Sequence, residues 1–550
     1  MKSNNKNILV VFEDGGKYSF PKRTTLLKIV ARVHPDDNGN TVLANVNNRI
    51  LGLHEPIQNN CRIKWLTMQS AEGIRSYQQT LCLVLTRAAK EILPKNELLI
   101  DHSLGKGLYC EFKDRSLHRP LLVQKIEKRM RQIIERNEPI RPVNRMRKTT
   151  LPYPMEKGGK EPPKETFFYS PFTCCGVISV LGYPLLPFTG RLKAFEMRLW
   201  TPGMILRYPE ESDCKLLLPF VKQKNLFCVF SEARKWENIL NIATTTDINR
   251  NAETGDLPEL VKIAEGLHEK KIVAIADRIT RKKRKLRVVL IAGPSSSGKT
   301  TFTKRLSIQL RVNELVPYAL SVDDYFLDNA LVPRDGQGKP DFESIHALDL
   351  ARFNADLLGL MQGKSVRLPR FDFMTGKSGP GPVVKLDERQ PILIEGLHAL
   401  NEELTSAVPR YNKFKLYVSA LTHLNITNAL RVSTSDLRLI RRLVRDHRFR
   451  NHSASFTLGH WQQVRNGEEK YIFPFQETAN AIFNSSLPYE IGVLRTFTQP
   501  LLERVPRSDP SYPEAQRLIE FLHFFKPISK NEVPSNSILS EFIGGSSFVY

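Results

Sequence analysis

Apolar residues follow two rhythms along this chain. Between Leu286 and about Thr498, short apolar runs (RVVLIAG, YALSV, SVRLP, PILIEGL, KFKLYVSA and YEIGVLR) alternate with stretches of helical spacing. Continuous rather than alternating apolar character marks strands buried on both faces. This part therefore predicts an α/β fold, a mainly parallel sheet with helices on both faces. Ahead of it the runs are shorter. ILVVF, an Asp14-Gly15-Gly16 turn and KYSFP read as a hairpin, then TTLLKIVARV as a helix from Thr24 or Thr25, then TVLANVN and RIKWL as strands. That order predicts a small β-grasp unit. GIRSYQQTLCLVLTRAAKEILP follows as an amphipathic helix, and residues 256–280 repeat apolar side chains at helical period through Leu260, Ile263, Ala264 and Leu267.

The stretch from Glu135 to Glu165 breaks both rhythms with Pro, Gly, Lys and Arg and reads as an exposed basic insertion. The RKKRKLR run at 281–287 reads as a solvated helix end.

Chemistry enters at IAGPSSSGKTTF. Gly293 and Gly298 stand five apart and are followed by Lys299 and Thr300, the pattern of a phosphate-binding P-loop. A β-branched strand leads in, and helical spacing through Phe302, Leu306 and Leu310 leads out. Glycines at those places let successive N–H groups and a helix N-terminus converge on one anion. In a parallel sheet ligands sit beyond the carboxyl ends of the strands. Asp323 and Asp324 follow YALSV, and Glu395 follows PILI. Such acids can hold Mg²⁺ or accept a proton from an attacking hydroxyl. Downstream, Arg438, Arg441, Arg442 and Arg445 fall at i, i+3, i+4 and i+7 of one helix, with only Asp436 and Asp446 nearby in sequence. They read either as an exposed salt-bridging face or as arginines presented to phosphates, the latter being the expectation here.

Composition changes this picture at two points. Net charge is +24, with Lys and Arg exceeding Asp and Glu by 21 in residues 1–300 and by 3 in residues 301–550. The front half could thus meet RNA or another polyanion, or simply carry a solvated basic face. Seven cysteines, all in the first half and none in a CxxC pair, fit reduced thiols rather than a disulfide framework or a zinc site. No apolar run reaches the roughly 18 residues of a membrane span, and the start of the chain lacks a secretory apolar region, so a cytoplasmic protein with no membrane partner is expected.

Several stretches carry family resemblances. DGGKYSFPKRTTLLKIV, ANVN and PIQNNCRIKWL resemble the TGS domain at the front of threonyl-tRNA synthetases. NELLIDHSLGKGLYCEF resembles the second domain of threonyl- and alanyl-tRNA synthetases, where a HxxxH pair helps bind an editing metal. Here Lys106 stands four residues after His102, so the ligand pair is incomplete and His102 reads as structural. GPSSSGKTTF, SVDDYF, LPRFDF, ILIEG and RLIRRLVRD resemble the uridine kinase and phosphoribulokinase family.

The combined resemblance implies a TGS-like unit at 1–68, a synthetase-like region at 69–250 with the basic loop 137–165, and a helical connector at 251–285. A kinase-like unit at 286–502 and a C-terminal helix and tail at 503–550 complete the chain. It implies an ATP- and Mg²⁺-dependent enzyme that phosphorylates a small-molecule hydroxyl, the 5′-hydroxyl of a nucleoside being expected. Gly293, Pro294, Ser295, Ser296, Ser297, Gly298, Lys299, Thr300 and Thr301 would bind ATP, with Thr300 and Glu395 toward the metal. Asp323 would be the base, and Arg441, Arg442 and Arg445 the charge-neutralising residues of a mobile lid. Asp341, Phe371, Asp372, Glu395 and Arg438 would face the acceptor. Uridine kinases read the base with Tyr and His in YDFxxHxR. FDFMTGKS puts Phe371 and Gly376 at those places, which leaves open a kinase for another sugar or metabolite, or an RNA-binding protein whose P-loop is a switch.

Overall fold

The computed structural model describes residues 7–550 except 38, 118, 144–169, 210–215, 283–285, 335, 337, 339, 373–374, 388–389 and 423. At the front, strands Asn7–Phe12 and Lys17–Pro21 form the expected antiparallel hairpin. Gly15 turns it in the left-handed region at φ 85°. Helix α1 (Leu26–Val33) follows. Asn7–Phe12 then pairs in parallel with Cys61–Thr67, and Thr41–Val46 and Ile50–Gly52 complete a five-stranded sheet. Alternation along the first strand sends Ile8, Val10 and Phe12 onto Leu26, Ile29 and Val30 of α1, which is the β-grasp arrangement that the pattern predicts.

Helix α2 (Ala71–Ile92) is less amphipathic in place than its sequence suggests, because Leu81 to Leu85 are all buried. It is enclosed by α3 (Pro120–Glu135) and by strands of three sheets, the front sheet among them. One of these sheets orders Glu196–Trp200, Gly203–Arg207, Gly107–Phe112 and Leu98–Ser103; another orders Ile140–Pro142, Ser170–Cys174 and Val177–Leu181. Ile140–Pro142 is thus a paired strand inside the stretch read as a loop over 137–165. Residues 144–165 of that stretch lie outside the described residues. Of the six described cysteines, Cys61, Cys82, Cys110 and Cys174 are buried and all are free thiols.

Helices α4 (Lys224–Leu240), α5 (Thr245–Thr254) and α6 (Leu257–Thr280) lead into the second half. The expected connector α6 is in fact a brace. Ile272, Ile275, Ala276 and Ile279 are buried, and Glu265 and Glu269 pair with Arg305 of α7 (Lys299–Val312).

The second half is built on a five-stranded sheet in the order Tyr318–Ser321, Ile392–Glu395, Val288–Ala292, Lys413–Ser419 and Ala481–Asn484, every pairing parallel. Both faces are covered, as the unbroken apolar runs require. Val289 and Ile291 meet Phe302 and Leu306 of α7, while Val288 and Leu290 meet Phe353 and Leu357 of α8 (Leu350–Met361). Among the described residues no helix is long and apolar enough to cross a membrane.

One expected strand lies outside the parallel sheet, and another is a helix. SVRLP belongs to an antiparallel hairpin, Val366–Asp372 with Lys377–Val384, outside the parallel sheet, where its charged positions alternate to the surface. YEIGVLR lies in helix α11 (Glu490–Glu503), preceded by α9 (Thr434–Arg450) and α10 (Ala454–Tyr471), and the fifth strand is AIFN just before it. Glu490 to Arg495 are all buried, so the helix shows no polar face at its start and its apolar run mimics a strand. Helix α12 (Tyr512–Leu522) and the short α13 (Ser540–Ile543) close the chain. The expected tail is integral to the core, with Ile538, Leu539, Phe542 and Ile543 buried against α9.

Candidate active site

The loop from Gly293 to Gly298 joins the central strand to α7 with the curl that its composition predicts. A Cβ on Gly293 would sit 1.9 Å from the Val418 carbonyl oxygen, and Gly298 holds φ 81° as the residue preceding the helix. The first-turn N–H groups of α7 lack intrahelical acceptors, and that of Thr301 donates to Glu541 Oε2 at 3.1 Å. Lys299 is buried, with its Nζ donating to the Pro294 carbonyl at 3.3 Å. Thr300 is partly buried on the first turn.

Parallel pairing brings the two acids to this loop. Glu395 is in register with Ile291 of the P-loop strand and with Ser321 of the edge strand, and Asp323 follows Ser321 in a 3-10 turn that the Ser321 hydroxyl caps at 3.3 Å. Burial raises the Asp323 carboxyl above its ordinary range, while Lys299, Arg450 and Arg445 pull it back. Burial pushes Glu395 up to about 7, against Lys299 and with help from Asp323 and Glu541. Glu343 is pushed up to about 7 by burial and then by Glu468. Asp324 accepts from the Phe371 N–H instead of joining this group.

The arginine helix departs from its expected role in two of four places. Arg438 and Arg441 are fully buried. Arg438 pairs with Glu468 and donates to the Ser295 carbonyl at 2.9 Å; Arg441 pairs with Glu490 at 2.6 Å and reaches the Ser485 carbonyl at 2.8 Å. Arg438 therefore does not face an acceptor, and Arg441 is not presented to an open site. Helical spacing put the four on one side correctly, but that side packs on the P-loop, and the carboxylate partners arrive from α10 and α11. Asp436 is taken by Arg517 at 2.7 Å. Arg442 and Arg445 remain at the site, both on Asp446, at 3.1 and 2.7 Å, and Arg442 also donates to the Ser295 hydroxyl at 3.0 Å. Arg450 joins them, its guanidinium drawn down to about 10 first by Arg445 and then by burial. Helix α9 is wedged among α10, α11 and α13 rather than standing off as a lid.

Residues 288–490 match the family model described as Phosphoribulokinase / Uridine kinase family. That match lies in the second half of the chain. The uridine kinase of Lactobacillus helveticus is 27% identical over 197 residues, covering 36% of this chain and 84% of the relative. A solved structure of a possible uridine kinase from Bacillus stearothermophilus aligns at 20% identity and a TM-score of 0.24, over 36% of this chain and 89% of that one. The N-terminal part is similar to threonine–tRNA ligases, for example that of Phenylobacterium zucineum, 29% identical over 134 residues, covering 24% of this chain and 20% of the ligase. The chain spans less than a third of the length of such ligases.

On the other side of the kinase-family site, Asp341 accepts from the Tyr471 hydroxyl at 3.0 Å, and Glu343 lies two residues on, close to Arg442. Phe371 is buried against Phe326, ring centroids 5.6 Å apart. Asp372 is exposed and accepts from the Thr375 hydroxyl at 2.9 Å, apart from the other acids. A Cβ on Gly376 would fall 2.0 Å from Asn329 Nδ2, so any side chain there requires the Asn329 amide to move. Sequence reading missed Glu343, Arg450, Glu468 and Glu490. Glu343 was within reach, being the last residue of PDFE; the buried pairs were not.

Among the described residues no group of three or more His, Cys, Asp or Glu is arranged as a metal cluster. Two desolvated carboxylates and the Thr300 hydroxyl are nonetheless the sparse oxygen donors that suit Mg²⁺, which keeps water and phosphate as most of its ligands. In the synthetase-like region His102 is sandwiched between Phe230 of α4 and Tyr109, centroids 3.6 and 4.9 Å away, and Arg234 pairs with Asp101 and Glu111. Phe230 of α4 thus packs directly on His102.

Proposed function

We propose that the chain is an ATP-dependent phosphotransferase acting on a hydroxyl of a small molecule, most specifically the 5′-hydroxyl of a nucleoside. The observation that carries this is the convergence of Asp323 and Glu395, from adjacent parallel strands, on Lys299 of the P-loop. A loop that only binds and releases nucleotide has no use for an acid on the acceptor side.

In this reading the α7 N–H groups and Lys299 hold the phosphates, and Asp323 accepts the proton of the attacking hydroxyl. Its raised affinity for protons makes it a better base than an exposed aspartate. Arg442, Arg445 and Arg450 surround one carboxylate, Asp446, and their surplus positive charge offsets charge on the transferring group. Thr300 and Glu395 would hold Mg²⁺, which when bound neutralises phosphate charge. Arg438 and Arg441 act through the loop backbone by fixing its curl. Phe371 offers the acceptor an apolar ring, and without the Tyr hydroxyl or the His at position 376 discrimination among bases is weak.

The test is ATP consumption by the purified chain across a panel of nucleosides, sugars and sugar phosphates. An acceptor-dependent rate that both Lys299→Ala and Asp323→Asn abolish is expected. Undiminished turnover in the two variants overturns the assignment.

A further inference from the structure

One of the donors that a P-loop helix offers to a nucleotide is already engaged by the chain itself. In the strand–loop–helix unit, N–H groups of the first helical turn cradle the α- and β-phosphates. Here the Thr301 N–H donates to Glu541 Oε2 at 3.1 Å, and the Thr301 hydroxyl donates to the same oxygen at 2.7 Å. The Tyr550 hydroxyl lies 2.7 Å from that threonine oxygen as well. Thr301 is fully buried beneath them. A carboxylate oxygen receiving an N–H and an O–H at a helix N-terminus occupies the environment of a phosphate oxygen.

We propose that Glu541 stands at the α-phosphate position of the P-loop, so that it and Tyr550 compete with nucleotide for Thr301. This rests on the phosphotransferase reading above.

The stretch carrying these residues is arranged for that exchange. Its first part is anchored. Ile538 packs onto Gly298 so closely that a Cβ on the glycine would lie 2.4 Å from Ile538 Cγ2, and the Phe542 ring lies 5.1 Å from the Arg441 guanidinium. Ile538, Leu539, Phe542 and Ile543 are all buried, so this part stays in place. Beyond it, Gly544 and Gly545 both hold left-handed backbone, at φ 78° and 82°. Two consecutive glycines let the following residues re-orient at little cost. Ser546 to Tyr550 return to α7, the Tyr550 ring under Lys304 Nζ at 5.7 Å. Nucleotide entry then needs rotation of one side chain, Glu541, and a swing of residues 546–550 about the glycine pair. The four anchoring side chains remain where they are. Glu541 is also near enough to Glu395 to disfavour its charged form, which places both carboxylates in one field with the incoming phosphates.

The experiment is calorimetric titration of ATP into the full chain and into Glu541→Ala, Tyr550→Phe and Lys299→Ala variants, with thermal melts alongside. Glu541→Ala is expected to bind ATP about tenfold more tightly than the parent. Tyr550→Phe, which removes a single hydroxyl and leaves the ring in place, is expected to move in the same direction by a smaller factor. Equal or weaker ATP binding in folded Glu541→Ala and Tyr550→Phe overturns the competition while leaving the phosphotransferase reading standing. Absence of ATP binding in parent and variants alike overturns that reading, and the competition with it. Loss of binding in Lys299→Ala supports the phosphotransferase reading, and tighter binding in Glu541→Ala beside it supports the competition.

Discussion

Arg441 Nε donates to Glu490 Oε2 across 2.6 Å, and neither side chain reaches solvent. Two further guanidinium contacts, to the Ser485 hydroxyl at 3.2 Å and its carbonyl at 2.8 Å, tie this pair to the residue whose own hydroxyl donates to the Ser297 carbonyl. The pair therefore holds the far side of the phosphate loop. Removing one partner leaves an uncompensated charge in the interior, which costs about 3–5 kcal/mol. Glu490→Leu is expected to lower the unfolding free energy read from urea titration by that order and to weaken ATP binding. Arg441→Met combined with Glu490→Leu is expected to recover much of the stability but not the binding, because the loop still lacks its clamp. A double-mutant cycle with both readouts checks this.

Glu395 gives a pH dependence whose sign can be worked out. Its folded-state carboxyl sits near 7, above its unfolded value, so the folded chain holds the proton more tightly. The contribution to stability is fully present below the unfolded pKa and declines as pH rises through 7. Glu395→Gln removes that decline. The variant is expected to be more stable than the parent at pH 8, by about 1–2 kcal/mol, and to melt correspondingly higher, and to differ little at pH 4.5. Melting curves at the two pH values decide it.

The same burial acts on Asp323 as the proposed base. Only its ionised form accepts a proton, and burial, opposed by Lys299, Arg450 and Arg445, leaves the carboxyl above the ordinary aspartate range. The acid limb of kcat/KM is expected to rise with an apparent pKa above that of an ordinary aspartate, and Arg445→Ala is expected to move that limb further up by removing an opposing charge. A limb unmoved by this substitution argues against Asp323 as the titrating base.

What the chain shows in one dimension is local. The P-loop, the strand leading to Glu395 and the turn carrying Asp323 are legible because each is a short run followed by its functional residue. The order of the parallel sheet then brings the runs together. Arg438 and Arg441 were misread for a physical reason. Their spacing reports which side of α9 they occupy, but Glu468 and Glu490 lie 30 and 49 residues downstream, and nothing in a helical period tells whether that side is wet. YEIGVLR failed similarly, since a helix end buried on every side has no polar stripe to reveal its period. Thr301 was read as a nucleotide ligand without any sign of Glu541, 240 residues away.

Gly376 carries the departure from the uridine-reading pattern, and its surroundings make that departure hard to reverse. Its backbone is left-handed at φ 66°, its carbonyl accepts from the Asn329 N–H at 3.0 Å, and a Cβ would collide with the Asn329 amide. Gly376→His is therefore expected to destabilise the hairpin and the loop at Asn329 by about 1–3 kcal/mol, without restoring a base-reading imidazole. Asn329→Gly removes the colliding amide, and the double variant is expected to regain most of the loss while keeping the strain of a positive φ at a residue with a Cβ. Melting temperatures of the two single variants and the double, with acceptor KM measured on each, check the argument. A Gly376→His chain as stable as the parent and newly selective for one base would mean that the hairpin tip adapts around the side chain and that the pocket, rather than the glycine, sets the acceptor.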